Sequence, residues 1–484
     1  MTELTPPPVA AEGGDATRLF IAPRPPLLPK KATLYQFMRI GRLSALSMFM
    51  ESSYGAMQMG QIRLPTFPRG RIRSLYIVRA FDLLREILVR RAADFPKSML
   101  MGSMLNQLLG DGIFVSNGEV WRRQRRMMDP AFAGARIREV FPMMRDAAEA
   151  AVTRLDQRLA GPKAGRPVRM DAETTHFTAD IIFRTIYSQP ITRRQSEDIF
   201  RAFETFQNVG YAHGFLRILG VPTRVLPGAL RGAWAARRIR MHLKRPLDAR
   251  LDAIRAGRPT PQDDILASLI GATDPETGTR FDRTELLDQI AVLFLAGHET
   301  SASTLAWAMY LLASCPHLQE RAHQEAVGVF GDRPPEFADI KKLAFTRDVV
   351  RETLRLYPPV AFVARDSSQE ERFPTKTVPP HSVMLIPLWL LHRHREHWAE
   401  ADGFDPDRFS REESQEAIRC AYMPFSMGPR VCVGASFAMQ ETVLYVAWLV
   451  RRFRFSPTPG HTPEPVSRLT LRSRNGIPLI VERR

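Results

Sequence analysis

The stretch 282–313 constrains the fold more than any other part of the chain, because it carries one helical pattern that is apolar over much of its length. A helix with apolar residues around most of its circumference belongs in an interior, so other elements must pack around it. Helical spacing runs through 81–93, 119–128, 136–159, 172–187, 193–207, 228–256, 318–330, 346–357 and 435–453. Short strands are expected at 62–65 and 72–78, with Pro68 and Gly70 turning between them. The C-terminal stretch 466–481 reads as a strand pair turning at Asn475-Gly476. Residues 358–387 are extended and Pro-rich, and neither a repeat nor a Gly/Ser linker divides the chain. The 484 residues therefore read as one large domain, mainly α with small β-sheets, over 31–484. A flexible Pro-rich tail is expected over 1–30.

Composition narrows the function classes. A hydrophobic fraction of 44% and a charged fraction of 25% exclude a disordered or collagen-like chain. Lys+Arg 68 against Asp+Glu 51 leaves a net charge of +17, which favours acidic partners. The one tight basic cluster, Arg122 to Arg126, is too short for dedicated nucleic-acid binding, so no nucleic-acid partner is expected. Residues 1–15 are polar and Pro-rich with three acids, unlike an export signal, and nowhere do 18 apolar residues run uninterrupted. No transmembrane anchor is expected. The Met-rich stretch 35–62 is amphipathic enough to touch a membrane or to pack on the body of the protein, and packing is the expected state. Three cysteines, Cys315, Cys420 and Cys432, make neither a disulfide framework nor a C-x-x-C zinc site. They point to a reducing compartment, and leave one thiol free for chemistry. His392, His394 and His397 find no further ligand of good spacing.

The segment Phe425-Ser426-Met427-Gly428-Pro429-Arg430-Val431-Cys432-Val433-Gly434 carries the densest chemistry. It runs from a loop straight into the helix that starts at Ala435. A cysteine at a helix N-terminus faces backbone N–H groups and the positive end of the dipole, which favour thiolate. Gly428 and Gly434 allow tight turns and the close approach of a flat ligand. Arg430 supplies a cation suited to a carboxylate, and Phe425 can shield the sulfur from water. A second segment, Ala296-Gly297-His298-Glu299-Thr300-Ser301, interrupts the apolar run of the long helix. Gly297 removes a side chain where a ligand could press on the backbone. Thr300 can return its hydroxyl to the carbonyl four residues back and open a groove. An acid beside an alcohol can pass protons inward.

The first segment matches every fixed position of F-x-x-G-x-R-x-C-x-G, and so resembles the haem-binding signature of the cytochrome P450 family. Further segments agree. Ala296 to Ser301 resembles the family's oxygen-activating motif. Glu352-Thr353-Leu354-Arg355 resembles its E-x-x-R helix, and Pro406-Asp407-Arg408-Phe409 its P-E-R-F segment, with Asp407 in place of the usual acid. Trp121-Arg122-Arg123-Gln124-Arg125 resembles the W-x-x-x-R helix.

The resemblance implies a cytochrome P450 fold and haem b, with Cys432 as the axial thiolate of the iron. It implies cofactor contacts from Trp121, Arg125, Arg365, Arg430, Phe425 and Gly297, and a structural network of Glu352, Arg355 and Arg408. Thr300 would organise dioxygen and its water, with Glu299 as its acidic partner. The implied activity is that of a haem-thiolate monooxygenase, an oxidoreductase that inserts one atom of O2 into an organic substrate. A peroxide-using hydroxylase or haem-dependent isomerase of the same fold is one alternative, and a non-enzymatic haem-thiolate sensor another. Electrons would come ultimately from NAD(P)H through a separate ferredoxin or flavodoxin-like partner. A soluble bacterial-type, cytoplasmic monomer is expected. Candidate pocket segments, 99–114, 293–296, 360–363 and the turn near Asn475, are largely apolar, with Phe294, Phe362 and Val363 prominent. They suit a lipophilic substrate.

Overall fold

The computed structural model describes residues 19–27, 44–63, 74–162, 164–218, 226 and 228–484. The long helix, Arg283–Ala313, runs through the centre, and Asp282 starts it with a capping box closed by Glu285. From Ile290 to Phe294 and from Ser301 to Ala313 every side chain is buried. In chain order the principal helices are α1 (Met99–Leu109), α2 (Gly118–Met128), α3 (Gly134–Ala160), α4 (Met170–Tyr187), α5 (Arg193–Ile218), α6 (Ala229–Arg255) and α7 (Ile265–Gly271). The long helix is α8, followed by α9 (Pro316–Phe330), α10 (Ala344–Leu356) and α11 (Ala435–Arg452).

Threonines stitch α4 to α8. Thr178 Oγ1 donates to the His298 carbonyl at 2.9 Å, and Thr174 Oγ1 to that of Ala302 at 3.1 Å. Gly297 lets the two helices close, since a Cβ there would lie 2.5 Å from Ile182 Cδ1. The glycine that the sequence assigns to ligand approach is thus also required by helix packing.

A four-stranded sheet flanks the helices, built from β1 (Gly60–Arg63), β2 (Ser74–Ile77), β3 (Val363–Asp366) and β4 (Val383–Ile386) in the order β1-β2-β4-β3. Only the β2–β4 pair is parallel. The expected strands near 62–65 and 72–78 are β1 and β2; the turn with Pro68 and Gly70 lies outside the described residues. The C-terminal expectation changes. β5 (Pro465–Ser467) pairs with β6 (Leu471–Ser473) through a turn at 468–470. Pro478–Arg483 instead pairs with Phe453–Pro457 and Val168–Arg169. Asn475-Gly476 therefore links two sheets instead of closing one hairpin.

The tail boundary also moves. Phe20–Ile21 pairs with Gly403–Phe404, the Ala22 N–H donates to Asp402, and Tyr357 donates its hydroxyl to the Pro23 carbonyl at 3.0 Å. Residues 19–27 are held in the fold by these bonds, and so are not part of a flexible 1–30 segment. Within the stretch 35–62, Leu46, Phe49 and Tyr54 are buried in the main core, so 44–59 packs on the body. No helix among the described residues is long and apolar enough to cross a membrane.

Candidate active site

A cavity of about 320 Å³ opens where α8, α2, β3 and the loop before α11 meet. α8 lines it with Val292, Leu293, Ala296, Gly297, Thr300, Ser301 and Thr304, one side of the helix, with Leu293 to Ser301 spaced i, i+3, i+4, i+7, i+8. Thr300 Oγ1 donates to the Ala296 carbonyl at 2.6 Å, as the sequence suggests, leaving its lone pairs to the cavity.

Cys432 also lines the cavity and is exposed to it. Its own N–H donates to the Phe425 carbonyl at 3.0 Å, which closes the loop. Burial pushes the thiol up, while the Gly434 backbone and Arg125 pull it the other way. Gly428 makes the loop possible. It has φ +74°, and a Cβ there would lie 2.0 Å from the Leu88 carbonyl oxygen, in the π-helical turn Glu86–Arg90. Phe425 lines the same wall.

The four crowded arginines of α2 separate cleanly. Arg122 pairs with Glu119, Arg123 with Glu285, and Arg126 with Asp274, all away from the cavity. Arg125 lines it, donating to the Val431 carbonyl at 2.6 Å and pairing with Asp129 at 2.6 Å. Arg430 donates to the Ala92 and Phe95 carbonyls and lies 5.1 Å over the Trp121 ring. Arg365 comes from β3.

Lys97, which sequence reasoning misses, joins them through a bridge to Arg365 and lies 5.6 Å over Trp121. Burial first, then Arg430, Arg365 and Arg125, push its ammonium down to about 6. Arg365 Nε and Arg430 Nε are buried without a hydrogen-bond partner among the described residues. Three converging guanidinium groups, two of them with orphaned donors, and a lysine that gains a proton beside an anion call for a partner with more than one carboxylate. With a thiol and apolar walls beside them, these residues fit an iron porphyrin bearing two propionates.

The supporting network forms as expected. Arg355 Nε and Nη2 each lie 2.7 Å from the Glu352 carboxylate, and Arg408 Nε reaches it at 3.4 Å. All three residues are buried. Arg355 also donates to the His392 carbonyl at 2.8 Å, and His392 Nε2 accepts the Met423 N–H at 3.0 Å. The network thereby reaches the start of the cysteine loop. Asp407 turns outward to Arg321. His392 is thus a structural residue, and no group of three or more metal-ligating side chains occurs among the described residues.

Two expected residues face elsewhere. Phe294 stacks on His298 at 5.4 Å and meets Phe183 edge-on, so it belongs to the α4–α8 core, whereas Phe362 and Val363 do line the cavity. Glu299 is buried off the cavity. It accepts from Arg472 through both oxygens, from Thr470 at 2.6 Å and from Gln207 at 3.1 Å. Burial alone would raise it, but Arg472 and these bonds hold its carboxyl below the usual range. Both lie at the edges of the lining arc of α8, Phe294 about 20° beyond Ser301 and Glu299 about 20° beyond Val292. The turn near Asn475 lies off the cavity too, spending its amide on Glu464 and Thr462.

The acid on the cavity is Glu441 of α11. It is fully buried, one oxygen accepts from Ser301 Oγ, and the other has no partner among the described residues. Burial pushes its carboxyl up to about 8, so it carries a proton at neutral pH. A lone acid inside the apolar run of α11 was the signal for it.

The cytochrome P450 family model matches residues 66–479, and the chain belongs to that family. Among curated relatives, it is 31% identical over 402 residues to cyclooctatin synthase of Streptomyces melanosporofaciens, covering 82% of this chain and 84% of that protein. The cyclooctat-9-en-7-ol 5-monooxygenase of the same organism is 31% identical, covering 79% and 82%. Cytokinin hydroxylase of Arabidopsis thaliana is 27% identical, covering 83% and 77%. The protein is a haem-thiolate monooxygenase that carries haem b and works with an organic substrate, O2 and a redox partner.

Proposed function

We propose that this monooxygenase oxidises a neutral, lipophilic, ring-bearing substrate, and that Cys432, the cation cradle and a Ser301–Glu441 proton pair perform the work of the chain. The observation that carries the reading is the convergence of Lys97, Arg125, Arg365 and Arg430 with the Cys432 thiol in one apolar cavity. Cys432 Sγ would hold the haem iron. The three arginines and Lys97 take the propionates, arginine being suited to the planar carboxylate. When bound, haem supplies the reductive activation of O2 and the insertion of one oxygen atom into the substrate.

The other residues orient the substrate, exclude water and move protons. Met101, Phe114, Ile182, Val292, Phe362 and Val363 wall the substrate side with hydrocarbon, and no ionised group among them would pair with a charged substrate. The names of the two Streptomyces relatives, one of which describes oxidation of a cyclic alkenol, support a ring-bearing alcohol or hydrocarbon. Thr300 Oγ1 accepts a hydrogen bond from water at the oxygen-binding position, since its own proton is committed to Ala296. Glu441 holds the reserve proton; the Ser301 hydroxyl turns to give its own proton to water in the cavity and is refilled by the Glu441 carboxyl, which reverses the bond between them. Glu299, with its carboxylate engaged by Arg472, is a positioning residue for β6 and α5.

Electrons arrive from NAD(P)H through a separate acidic ferredoxin or flavodoxin-like protein. The face over Gly428–Arg430 supports this, with Arg90, Arg122, Val89 and Val120 exposed around it. Three free cysteines fit a reducing, cytoplasmic location.

The test is product formed per electron consumed. Positioned proton transfer is worth about 10²–10⁴-fold, so Thr300→Ala and Glu441→Gln should each lower product and raise hydrogen peroxide, with reductant consumption maintained. Glu299→Gln should leave that ratio near wild type. Uncoupling by Glu299→Gln, with Glu441→Gln unaffected, would overturn the assignment.

A further inference from the structure

Away from the reaction cavity, a second cavity of about 420 Å³ lies between α1, α6 and α8. One face of α6 supplies Arg237, Arg240 and Lys244 to its wall, at i, i+3 and i+7. Met241 and Leu287 add apolar surface, and Gln107 closes it from α1. The charges do not cancel. Lys244 and Arg283 share Asp248, and Arg240 pairs with Asp288 at 2.7 Å. Of the three cations that line the groove two are thus paired, and Arg237 has no hydrogen bond or ion pair among the described residues. One uncompensated positive charge, with two further cations and hydrocarbon beside it, matches a small ligand with an anionic head and an apolar body.

The groove is wired to the reaction cavity. Arg240 Nη1 donates to the Leu108 carbonyl at 3.0 Å, at the end of α1. Asp288, its ion-pair partner, accepts the Asp111 N–H at 3.1 Å. Gly110, with φ +54°, lies so close that a Cβ would sit 2.1 Å from the Asp288 carboxylate. Three and four residues after Gly110, Ile113 and Phe114 line the reaction cavity. An anion that draws on Arg240 therefore competes with the contacts that seat this wall.

We propose that the groove between α1, α6 and α8 is an effector site for a small amphipathic anion, a carboxylate or phosphate monoester with a short hydrocarbon body, and that its occupancy changes substrate affinity. Linkage makes the effect reciprocal.

The experiment uses the haem-loaded full chain with hexanoate as the probe. Titration calorimetry is run with the reaction cavity closed by 1-phenylimidazole. Hexanoate should bind, hexanol should not, and Arg237→Ala and Lys244→Ala should each weaken binding by about tenfold or more. Both variants should keep the wild-type haem spectrum, which controls for folding. In a second arm, without the imidazole, a substrate found by spin-state screening is titrated with and without hexanoate, and its apparent affinity should change in wild type but not in Arg237→Ala. Equal binding of hexanol, or undiminished hexanoate binding in both variants, would overturn the site. Binding to phosphatidylglycerol vesicles but not to hexanoate would overturn the ligand class. Specific hexanoate binding with unchanged substrate affinity would overturn the coupling.

Discussion

Arg365 gives the sharpest test of the cation cradle. It is 7% exposed, its Nη1 reaches only the neighbouring Ala364 carbonyl at 3.0 Å, and its Nε reaches nothing among the described residues. Burial, and then Arg430 beside it, push the guanidinium down to about 10. At about 1.36 kcal/mol per pH unit, that lowering makes the charge cost the apoprotein roughly 3 kcal/mol. The folded-state value lies below the unfolded one, so the penalty is complete at any pH below about 10 and fades only as pH rises beyond it. A carboxylate arriving at Arg365 cancels it. Arg365→Leu should therefore stabilise the apoprotein, by up to roughly 3 kcal/mol. It should weaken the haem-loaded protein, which loses charge-assisted bonds worth about 1.5–3 kcal/mol. Haem affinity should fall by about ten- to a hundredfold or more. Denaturant unfolding of the apoprotein and the rate of haem transfer to an excess of a tight scavenger read the two signs separately. An apoprotein less stable than wild type, or an unchanged transfer rate, would mean that Arg365 serves the fold and not the cofactor.

Three further outcomes follow from the same geometry. Lys97, held down to about 6 by burial and by Arg430, Arg365 and Arg125, should regain its proton when carboxylates arrive. Haem binding at pH 8 should then take up close to one proton, measurable by calorimetry in buffers of different ionisation enthalpy, and Lys97→Met should abolish the uptake. Gly428→Ala forces a Cβ into the Leu88 carbonyl and requires a positive φ of an L-residue, so the purified variant should retain little haem while its far-ultraviolet circular dichroism stays near wild type. Reduction by an acidic ferredoxin should slow steeply as salt rises past physiological strength, where the Debye length is about 8 Å, and Arg122→Glu should slow it at low salt.

Much of this architecture was legible because helical periodicity is a local signal. The elements 119–128, 172–187, 283–313 and 435–452 appear within about two residues of where spacing puts them. Helix α1 was not read as one, since Met99–Leu109 carries two glycine-or-serine breaks and little charge to mark a polar face. Individual residues of the site followed a different rule. Cys432, Arg430 and Phe425 sit in one contiguous loop, so their spacing reveals them. Glu299 and Phe294 stand just off the cavity because each lies about 20° of helix rotation beyond the edge of the lining arc, past Val292 and Ser301 respectively, which sequence adjacency to Thr300 and Leu293 does not reveal. Lys97 has no local signal at all. It reaches the cradle only because 97 bridges to β3, a pairing separated by hundreds of residues.

The central claim is that Cys432 is the thiolate ligand of the haem iron. The absorption spectrum of the reduced, carbon monoxide-bound protein tests it most directly, because thiolate ligation shifts the Soret band strongly to the red. Wild type, Cys315→Ser and Cys420→Ser should show that band, and Cys432→His should bind haem without it. A red-shifted band that survives in Cys432→His, or one lost on replacing Cys315 or Cys420 alone, would contradict the account.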